Sequence, residues 1–283
     1  MVIALLYVDA GKGHFVPAKA IGDVLTRSGY DATVEDLFVA IDTPFWKWYC
    51  KAEWRFFLKR PALELIAHGL SDNRLFNHII RALARSKKIR TGFITWYNYR
   101  KPTIILSTNF LGGAIVGEMI KYYDLKVRNY VYAADAFNNP IAGFHPEVDR
   151  IFIPSFVGEK NLKKQGYRSD QIIRSPFPLQ QSIERMEIVS KQEARRILGL
   201  EDRFTILYNL GGEGIGSDHL IKRLAKSGAN YQVIIVGKSD ERTKAHFLAI
   251  TQDSKLTVRI PGFVTNIGMY ILACDLPAGK AGA

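Results

Sequence analysis

Two glycine-rich turns in this chain have the composition of anion-binding turns. The segment Asp9–His14 follows a short apolar run at 2–8, and the segment Gly211–Gly216 follows a second such run at 203–210. A helical pattern comes after each turn, so backbone N–H groups and the positive end of a helix dipole can face a bound anion. Glycine also lets a ligand approach the backbone closely. The first turn therefore predicts an anion site, and the second repeats the same arrangement of strand, glycine turn and helix.

The first turn matches neither of the common nucleotide loops. Val16 stands where G-x-G-x-x-G has its third glycine, and the lysine is not followed by serine or threonine as in a Walker loop. An ordinary strand-to-helix turn is the alternative interpretation. The residues of interest are Gly13, which allows close approach, and His14, whose ring is placed to face a ligand.

Two side chains are equal candidates for a general base. His14 closes the first turn, and Asp135 directly follows the strand-like run 129–134. Ligands of α/β proteins collect at the carboxyl ends of strands, where either side chain can take a proton from a hydroxyl group. Asp135 can also orient His14, and a turn or cap aspartate is its other interpretation. His145, in a following loop, is a weaker candidate for the base, since a lone loop histidine is more often structural or a contact to a lipid headgroup.

Strand-like runs alternate with helical patterns along the whole chain, which predicts an α/β fold in two domains. We place the first domain at 1–180 and the second at 185–283. Pro176 and Pro178 stiffen the connection between them. In the second domain the strand-like run 231–236 ends at Gly237.

Composition limits the class of partner. Lysine and arginine number 39 against 27 acidic residues, a net charge of +12, so we expect an anionic partner: nucleic acid, an anionic membrane surface or a phosphorylated small molecule. We expect no membrane-spanning segment and no signal peptide. Cys50 and Cys274 lie far apart, so we expect neither a metal site nor a disulfide framework, and a cytoplasmic location.

A basic and aromatic segment at 44–60 is suited to a membrane interface. It holds three of the four tryptophans and five cations, and such residues meet lipid headgroups at a bilayer surface. The alternative is a core helix with Phe45, Trp48, Tyr49 and Phe56 facing inward; stacking on single-stranded nucleic acid is weaker. The predicted docking residues are Trp46, Trp48, Trp54, Lys47, Lys51 and Arg55. A basic helix predicted at about 75–90 is consistent with docking or with a solvated face.

Five motifs, in the correct order, resemble those of one enzyme family. They are Asp9–His14 with 18–21, Tyr132–Asp135 with Phe144 and His145, Leu210–Gly216, Gly262–Val264 with 273–275, and Lys280–Gly282. On these motifs the chain resembles the monogalactosyldiacylglycerol synthase and processive diacylglycerol glucosyltransferase family. That family has the GT-B fold of nucleotide-sugar glycosyltransferases, with two Rossmann-like domains.

The resemblance implies transfer of a hexose from a UDP-sugar to a membrane lipid such as diacylglycerol. It implies a cleft between the domains, with His14 on the acceptor side and no metal or cofactor beyond the UDP-sugar substrate. The implied donor-binding residues are Gly13, Gly211, Gly212, Glu213, Gly214, Ile215, Gly237, Phe263, Val264, Lys280, Ala281 and Gly282. The implied location is peripheral, on the cytoplasmic face of a membrane, with an anionic membrane surface and no nucleic acid as partner.

Some positions depart from the family pattern. Gly143 stands where tryptophan is common, and 138–140 replaces a segment rich in cysteine and histidine, so the acceptor stays open. In the family the Lys280–Gly282 motif continues into a helix that holds the donor, so we expect an incomplete second domain with little activity. Pro277 and Gly279 are expected to disturb the preceding strand.

Three alternatives remain at this point. One is another GT-B enzyme, either an N-acetylglucosamine transferase acting on a lipid-linked cell-wall precursor or a UDP-sugar epimerase. The others are a basic nucleic-acid-binding protein and a protein that only binds membrane. Residues 44–60 disfavour an epimerase, and the paired glycine turns disfavour nucleic-acid binding.

Overall fold

The computed structural model describes residues 1–210 and 218–279. The chain divides into two compact units, one of residues 1–180 and one that begins at Gln181. Each unit contains a parallel β-sheet flanked by helices, and the predicted α/β class with two Rossmann-like sheets is confirmed.

The first unit has a six-stranded sheet in the order β2-β1-β3-β4-β5-β6. Its strands are β1 (Val2–Tyr7), β2 (Asp31–Asp36), β3 (Ile104–Ser107), β4 (Arg128–Tyr132), β5 (Arg150–Ile153) and β6 (Ile172–Arg174). Its helices are α1 (Lys12–Arg27), α2 (Leu37–Ala40), α3 (Pro44–Leu58), α4 (Pro61–Ser71), α5 (Arg74–Ala84), α6 (Lys87–Arg100), α7 (Phe110–Tyr123) and α8 (Phe156–Gln165), with a 3₁₀ turn at Ile141–Gly143.

The first sheet is buried on both faces, as the residues of strand β1 illustrate. Ile3, Ala4, Leu5 and Leu6 are all buried, as expected for a strand covered by helices on both sides. Ala4 and Leu6 pack in one apolar cluster, and Ile3 and Leu5 pack in another. The continuous apolar run that predicted β1 therefore supplies both faces of the core.

The structure divides the predicted helix at 75–90 into α5 and α6. Ser86 adopts φ −59° and ψ 143°, a non-helical conformation that ends one helix and begins the next. Five helices, α2 to α6, thus separate β2 from β3, so this connection is far longer than an ordinary α/β crossover.

The second unit has a four-stranded parallel sheet in the order β10-β7-β8-β9. Its elements are α9 (Gln181–Glu184), α10 (Lys191–Ile197), β7 (Thr205–Asn209), α11 (His219–Lys226), β8 (Gln232–Val236), α12 (Glu241–Thr251), β9 (Thr257–Gly262), α13 (Ile267–Ala273) and β10 (Leu276–Gly279).

The expected disturbance of the strand at Pro277 and Gly279 is wrong. Strand β10 pairs with β7 over its whole length, with Pro277 opposite Leu207. It lies at an edge of the sheet, where proline is tolerated because one side of the strand needs no ladder hydrogen bonds. Asp275 fixes its start by accepting hydrogen bonds from Arg195 Nη2 at 2.6 Å and the Thr205 N–H at 2.8 Å.

Candidate active site at the carboxyl edge of the first sheet

The strand order of the first sheet places a natural ligand crevice beside β1. Strand β1 has β2 on one side and β3 on the other. The connection after β1 runs to β2 and the connection after β3 runs to β4, so the two leave neighbouring carboxyl ends in opposite directions. Such a switch point is where open α/β sheets bind ligands. The glycine turn Asp9–His14 follows β1 at this place.

His14 is fixed across the switch point by the end of β3. Its Nδ1 lies 2.8 Å from the carbonyl oxygen of Thr108. Since a carbonyl can only accept, Nδ1 carries the proton and Nε2 is left as the acceptor of the neutral ring. Thr108 Oγ1 donates to the His14 carbonyl at 2.8 Å, and the Thr108 N–H donates to Leu6 at 2.9 Å. The ring orientation and the tautomer are therefore set by the fold.

Burial lowers the pKa of His14 below its ordinary value, while the Thr108 carbonyl and the negative charge of Asp135 act in the opposite direction. A histidine with a lowered pKa is neutral near pH 7, and its Nε2 lone pair can accept a proton. The sequence-predicted pair is thus brought to one edge of the sheet, because Asp135 follows β4, the neighbour of β3.

Asp135 itself is exposed. Its carboxylate stays accessible to a ligand while its charge acts on His14. The loop that follows, residues 135–145, is called the Asp135 loop below. Gly143 lies within its 3₁₀ turn, where a side chain has no room because an added Cβ would lie 2.5 Å from Phe110 Cβ.

The structure corrects the prediction for His145. This side chain has no exposed surface, so it does not meet an acceptor or a lipid. Its Nε2 lies 3.1 Å from Glu118 Oε1, and its Nδ1 accepts the N–H of Glu147 at 3.1 Å. Burial lowers the pKa of His145 to about 4, which outweighs the hydrogen bond to Glu118. His145 is a neutral interior side chain.

Glu118 on α7 is the centre of a buried charge cluster that the sequence did not reveal. It is 2% exposed and accepts hydrogen bonds from Arg81 Nε, from Arg85 Nε at 2.8 Å and from His145. Burial raises the pKa of the Glu118 carboxyl, but hydrogen bonds from Arg85, Arg81 and His145 outweigh it and hold the pKa at about 2. The cluster fastens α5 to α7, so Arg81 and Arg85 are not part of a purely solvated face.

Helix α3 is tied to the glycine turn rather than detached from it. Lys51 Nζ lies 2.9 Å from Asp9 Oδ2, and the indole of Trp54 covers Gly11 so closely that an added Cβ would lie 2.8 Å from its Nε1. Trp46 packs on the apolar cluster that contains Phe93. Lys51, Trp54 and Trp46 were predicted as docking residues; the structure turns all three towards the protein.

The alternative prediction for α3, a core helix, assigned its buried and exposed faces the wrong way round. Phe45, Trp48, Tyr49 and Phe56 were the expected inward face, yet all four are exposed, Trp48 by 65%. The inward face instead contains Trp46, Cys50 and Trp54, spaced by four residues, which is one helical turn. Of the other predicted docking residues, Arg55 is exposed and Lys47 is half-buried.

Three successive helices present apolar side chains to solvent. We call this set the apolar surface: Phe45, Trp48, Tyr49 and Phe56 on α3, Leu63, Leu65, Ile66 and Leu70 on α4, and Leu75, Phe76, Ile79 and Leu83 on α5. Lys59, Arg60 and Arg74 are exposed cations beside it, and the Arg60 guanidinium lies 4.3 Å from the centre of the Phe56 ring. Monomeric proteins rarely expose so many large apolar side chains on successive helices unless another phase or partner covers them.

The apolar side chains of α4 and α5 were not among the predicted docking residues, all of which lie on α3. The signal for the rest was present in the leucine and isoleucine positions of 63–83. Among the residues that the structure describes, no helix has the length and apolar content needed to cross a bilayer.

The second unit gathers three of the predicted donor residues at the carboxyl ends of β8 and β9. The N–H of Gly237 donates to the Gly262 carbonyl at 2.9 Å. Phe263 is 75% exposed, while Val264 packs on the cluster of Leu207 and Ile234. Gly13 belongs to the first unit, in the first turn of α1.

The remaining donor predictions fall outside the described residues. They are Gly211, Gly212, Glu213, Gly214 and Ile215 in the second glycine turn, and Lys280, Ala281 and Gly282 after β10. Directly after the second turn, Asp218 accepts from His246 Nε2 at 2.9 Å and pairs with Lys222 at 2.6 Å, which holds the start of α11 against α12. Within 1–210 and 218–279, no group of three or more His, Cys, Asp or Glu side chains is arranged to hold a metal ion.

Solved structures define the class of fold. MurG of Acinetobacter baumannii matches with a TM-score of 0.56 at 12% identity, covering 99% of this chain and 73% of that one. Anabaena Alr3699/HepE in complex with UDP matches with a TM-score of 0.54 at 11% identity, covering 98% and 73%. UDP-GlcNAc 2-epimerase of Neisseria meningitidis, bound to UDP-GlcNAc, matches with a TM-score of 0.53 at 12% identity, covering 99% and 77%. The chain has the GT-B fold.

Sequence comparison gives a narrower relationship. Monogalactosyldiacylglycerol synthases 2 and 3 of Arabidopsis thaliana are 25% and 27% identical to the chain; each match covers 99% of the chain and 62% of the plant protein. Processive diacylglycerol beta-glucosyltransferase of Bacillus mycoides is 23% identical, covering 94% of the chain and 67% of that enzyme. No family model matches. The chain is a homologue of the monogalactosyldiacylglycerol synthases and bacterial diacylglycerol glucosyltransferases, and it spans about 62% of the plant relatives' length.

Proposed function

We propose that the chain belongs to a glycosyltransferase that moves a hexose from a UDP-sugar to the free hydroxyl of a membrane lipid such as diacylglycerol. The observation that carries this is the His14 ring, whose Nδ1–H is held by the Thr108 carbonyl while its Nε2 is left to accept a proton near Asp135. The names of the homologues support the substrate class.

In the proposed step, His14 Nε2 takes the proton of the acceptor hydroxyl. The hydroxyl oxygen then forms a bond to the anomeric carbon of the sugar, while the bond from that carbon to the diphosphate oxygen breaks and UDP leaves with the electron pair. Asp135 stabilises the imidazolium that forms, as a carboxylate beside a histidine does in other acid–base sites. This assigns the base to His14 and a supporting charge to Asp135.

The glycine turns suit the two sides of that step. Backbone N–H groups at 211–216 are the proposed binding site for the diphosphate, with Lys280–Gly282 and the segment Phe263–Val264 as further donor contacts. Gly13 keeps the approach to His14 open. The chain needs no cofactor in this scheme, since the UDP-sugar is a substrate.

We further propose that the apolar surface docks the protein on an anionic bilayer. Its side chains are those a bilayer interface accepts, and exposed cations lie on the same helices. Each cation near an anionic leaflet adds roughly 1 kcal/mol of attraction, and the net charge of +12 acts in the same direction. A lipid acceptor stays in the membrane, so a peripheral protein on the cytoplasmic face is the matching arrangement.

The test is transfer in vitro. The chain, and a longer version matched to the length of the plant relatives, would be incubated with UDP-galactose, UDP-glucose or UDP-N-acetylglucosamine and vesicles that contain diacylglycerol. We expect a glycolipid of one added hexose, identified by mass, and its loss in His14→Ala. Release of free sugar or a change in the UDP-sugar alone would indicate an epimerase instead, and absence of any lipid product from both versions would contradict the proposal.

A further inference from the structure

Helix α5 has two faces that meet different surroundings. Leu75, Phe76, Ile79 and Leu83 are exposed and form part of the apolar surface. Asn77, Ile80 and Ala84 are buried against the protein. A contact on the exposed face of α5 therefore acts on a helix whose other face is already packed against the protein.

The inner face of α5 holds the Asp135 loop through one buried amide. Asn77 Nδ2 donates to the carbonyl oxygens of Ala142 at 2.8 Å and Phe144 at 2.7 Å. Asn77 is 6% exposed, so water does not readily replace these bonds. Both N–H donors of the side chain are thus used on this loop.

Asp72, in the turn between α4 and α5, holds the same loop at positions closer in sequence to Asp135. Asp72 Oδ1 accepts the N–H of Ile141 at 2.5 Å, and its Oδ2 accepts from Asn138 Nδ2 at 3.3 Å. Asp72 and Asn77 therefore attach residues 138, 141, 142 and 144 of the Asp135 loop to α5 and to the turn that precedes it.

Two arginines prevent α5 from moving independently of the core. Arg81 and Arg85 both bind Glu118 on α7, and Glu118 accepts from His145 at the end of the Asp135 loop. The Glu118 cluster thus joins α5 to the His145 end of this loop.

A separate set of bonds holds the loop from the opposite side. Gln165 Nε2, on α8, donates to Asn138 Oδ1 at 3.0 Å and to the Asn139 carbonyl at 2.6 Å. Helix α8 carries none of the apolar surface as defined here. On the same side, Ser155 Oγ donates to the Ala136 carbonyl and Asn161 Nδ2 donates to the Phe137 carbonyl at 2.9 Å. The loop is thus held by α5 and Asp72 on one side and by α8 with its N-cap on the other, and the α8 bonds provide an internal reference.

We infer that Asn77 and Asp72 are positioning residues: they transmit contact between α5 and a bilayer to the Asp135 loop, so docking orders the loop that carries Asp135. This rests on the proposed docking of the apolar surface. If the Asp135 carboxylate is ordered only when the protein is bound to a membrane, transfer of the sugar to a lipid is favoured over transfer to water.

The test is hydrogen exchange of the whole chain, with and without vesicles of equal parts phosphatidylglycerol and phosphatidylcholine. In the unaltered chain, vesicles should slow exchange of the amides of residues 136–145 roughly tenfold, the effect expected when an ordering contact is worth about one hydrogen bond. Asn77→Leu keeps the side-chain size but has no donor, and Asp72→Asn is a gentler second variant. Both should still bind vesicles, and both should lose most of this vesicle-dependent slowing.

Gln165→Leu is the matched control, because it weakens the loop from the α8 side. It should speed exchange by the same factor with and without vesicles and keep the vesicle-dependent slowing. If Asn77 had only a structural role, Asn77→Leu would behave like this control. Equal vesicle-dependent slowing of exchange in Asn77→Leu and Gln165→Leu would therefore overturn the inference. A bound chain whose loop shows no response to vesicles would also overturn it, and the docking proposal would stand. An unaltered chain that fails to bind vesicles would overturn both.

Discussion

Gly11 and Trp54 are in contact so close that only glycine fits between the first turn and helix α3. Gly11 adopts φ +90°, and a Cβ atom there would lie 2.8 Å from Nε1 of Trp54 and 3.0 Å from its Cε2. Lys51, on the same helix, pairs with Asp9 at the start of the turn. The position of α3, and with it the apolar surface, is thus linked to the turn that presents His14.

Gly11→Ala should therefore be more destabilising than an alanine at another glycine with a similar positive φ. Gly29 adopts φ +83°, but an added Cβ there meets nothing within 4 Å. We expect Gly29→Ala to cost about 1 kcal/mol from backbone strain alone. Gly11→Ala should cost roughly 1–3 kcal/mol more because the indole must also move. Urea unfolding of both variants measures the difference, and equal losses would show that the Trp54 contact yields freely.

The charge of Asp135 should be visible in the titration of His14. That charge raises the pKa of His14 against the lowering effect of burial, so Asp135→Asn should lower this pKa further. If His14 is the base, the acid limb of the transfer rate moves to lower pH in the variant, because the ring stays neutral further into acid.

The His14 titration can be followed by NMR of the imidazole resonances, which His14→Gln assigns among the six histidines. Asp135→Glu, which keeps the charge, is the control. A pKa of His14 that is identical in Asp135→Asn and in the unaltered chain would remove Asp135 from its supporting role.

The buried pair of His145 and Glu118 predicts stability that falls on the acid side. The pKa of His145 is lowered to about 4 from an ordinary 6.5, so between these values the unfolded chain binds more protons and stability decreases as pH falls. The pKa of Glu118 is lowered to about 2 from 4.5, so its contribution is lost in turn as pH falls below 4.5.

For His145 the effect between pH 7 and pH 4 is on the order of 2–3 kcal/mol. His145→Gln removes the titrating ring and should flatten the pH dependence of the urea midpoint over that range. A slope unchanged in His145→Gln would indicate that the ring is already accessible to protons in the folded protein.

The sequence predicted the parts of the fold whose signals are local. An apolar run followed by a glycine turn and a helical pattern identified β1 with α1, and the same signature identified β7, because each element is specified within a few neighbouring residues. The placement of His14 and Asp135 at one edge followed from the parallel order of the strands.

The orientation of α3 and the burial of His145 could not be predicted in the same way. Aromatic residues of α3 occur on both of its faces, so their spacing does not identify the inward one. That face is decided by contacts with residues distant in sequence, namely Asp9 and Gly11. His145, a loop residue, is buried with its N–H donated to Glu118 on α7. These outcomes depend on tertiary contacts that periodicity does not encode.

The two tryptophans of α3 that face opposite ways provide a direct test of docking. Trp48 is 65% exposed within the apolar surface, whereas Trp46 packs on the core. Trp48→Ser should weaken binding to anionic vesicles by roughly tenfold or more, since burying a large aromatic ring contributes about 1.5–3 kcal/mol, and it should leave the melting temperature almost unchanged. Trp46→Ser should leave vesicle binding almost unchanged and should lose about 3 kcal/mol or more of folding stability.

Tyr99→Ser supplies the control for exposure alone, because Tyr99 on α6 is 80% exposed but lies outside the apolar surface. Vesicle sedimentation at low and high salt separates the apolar from the electrostatic part of the attraction, because salt screens only the latter. If Trp48→Ser and Tyr99→Ser bind vesicles as tightly as the unaltered chain, α3 is not a docking helix. A loss confined to Trp48→Ser and persisting in high salt would place the indole in the bilayer interface.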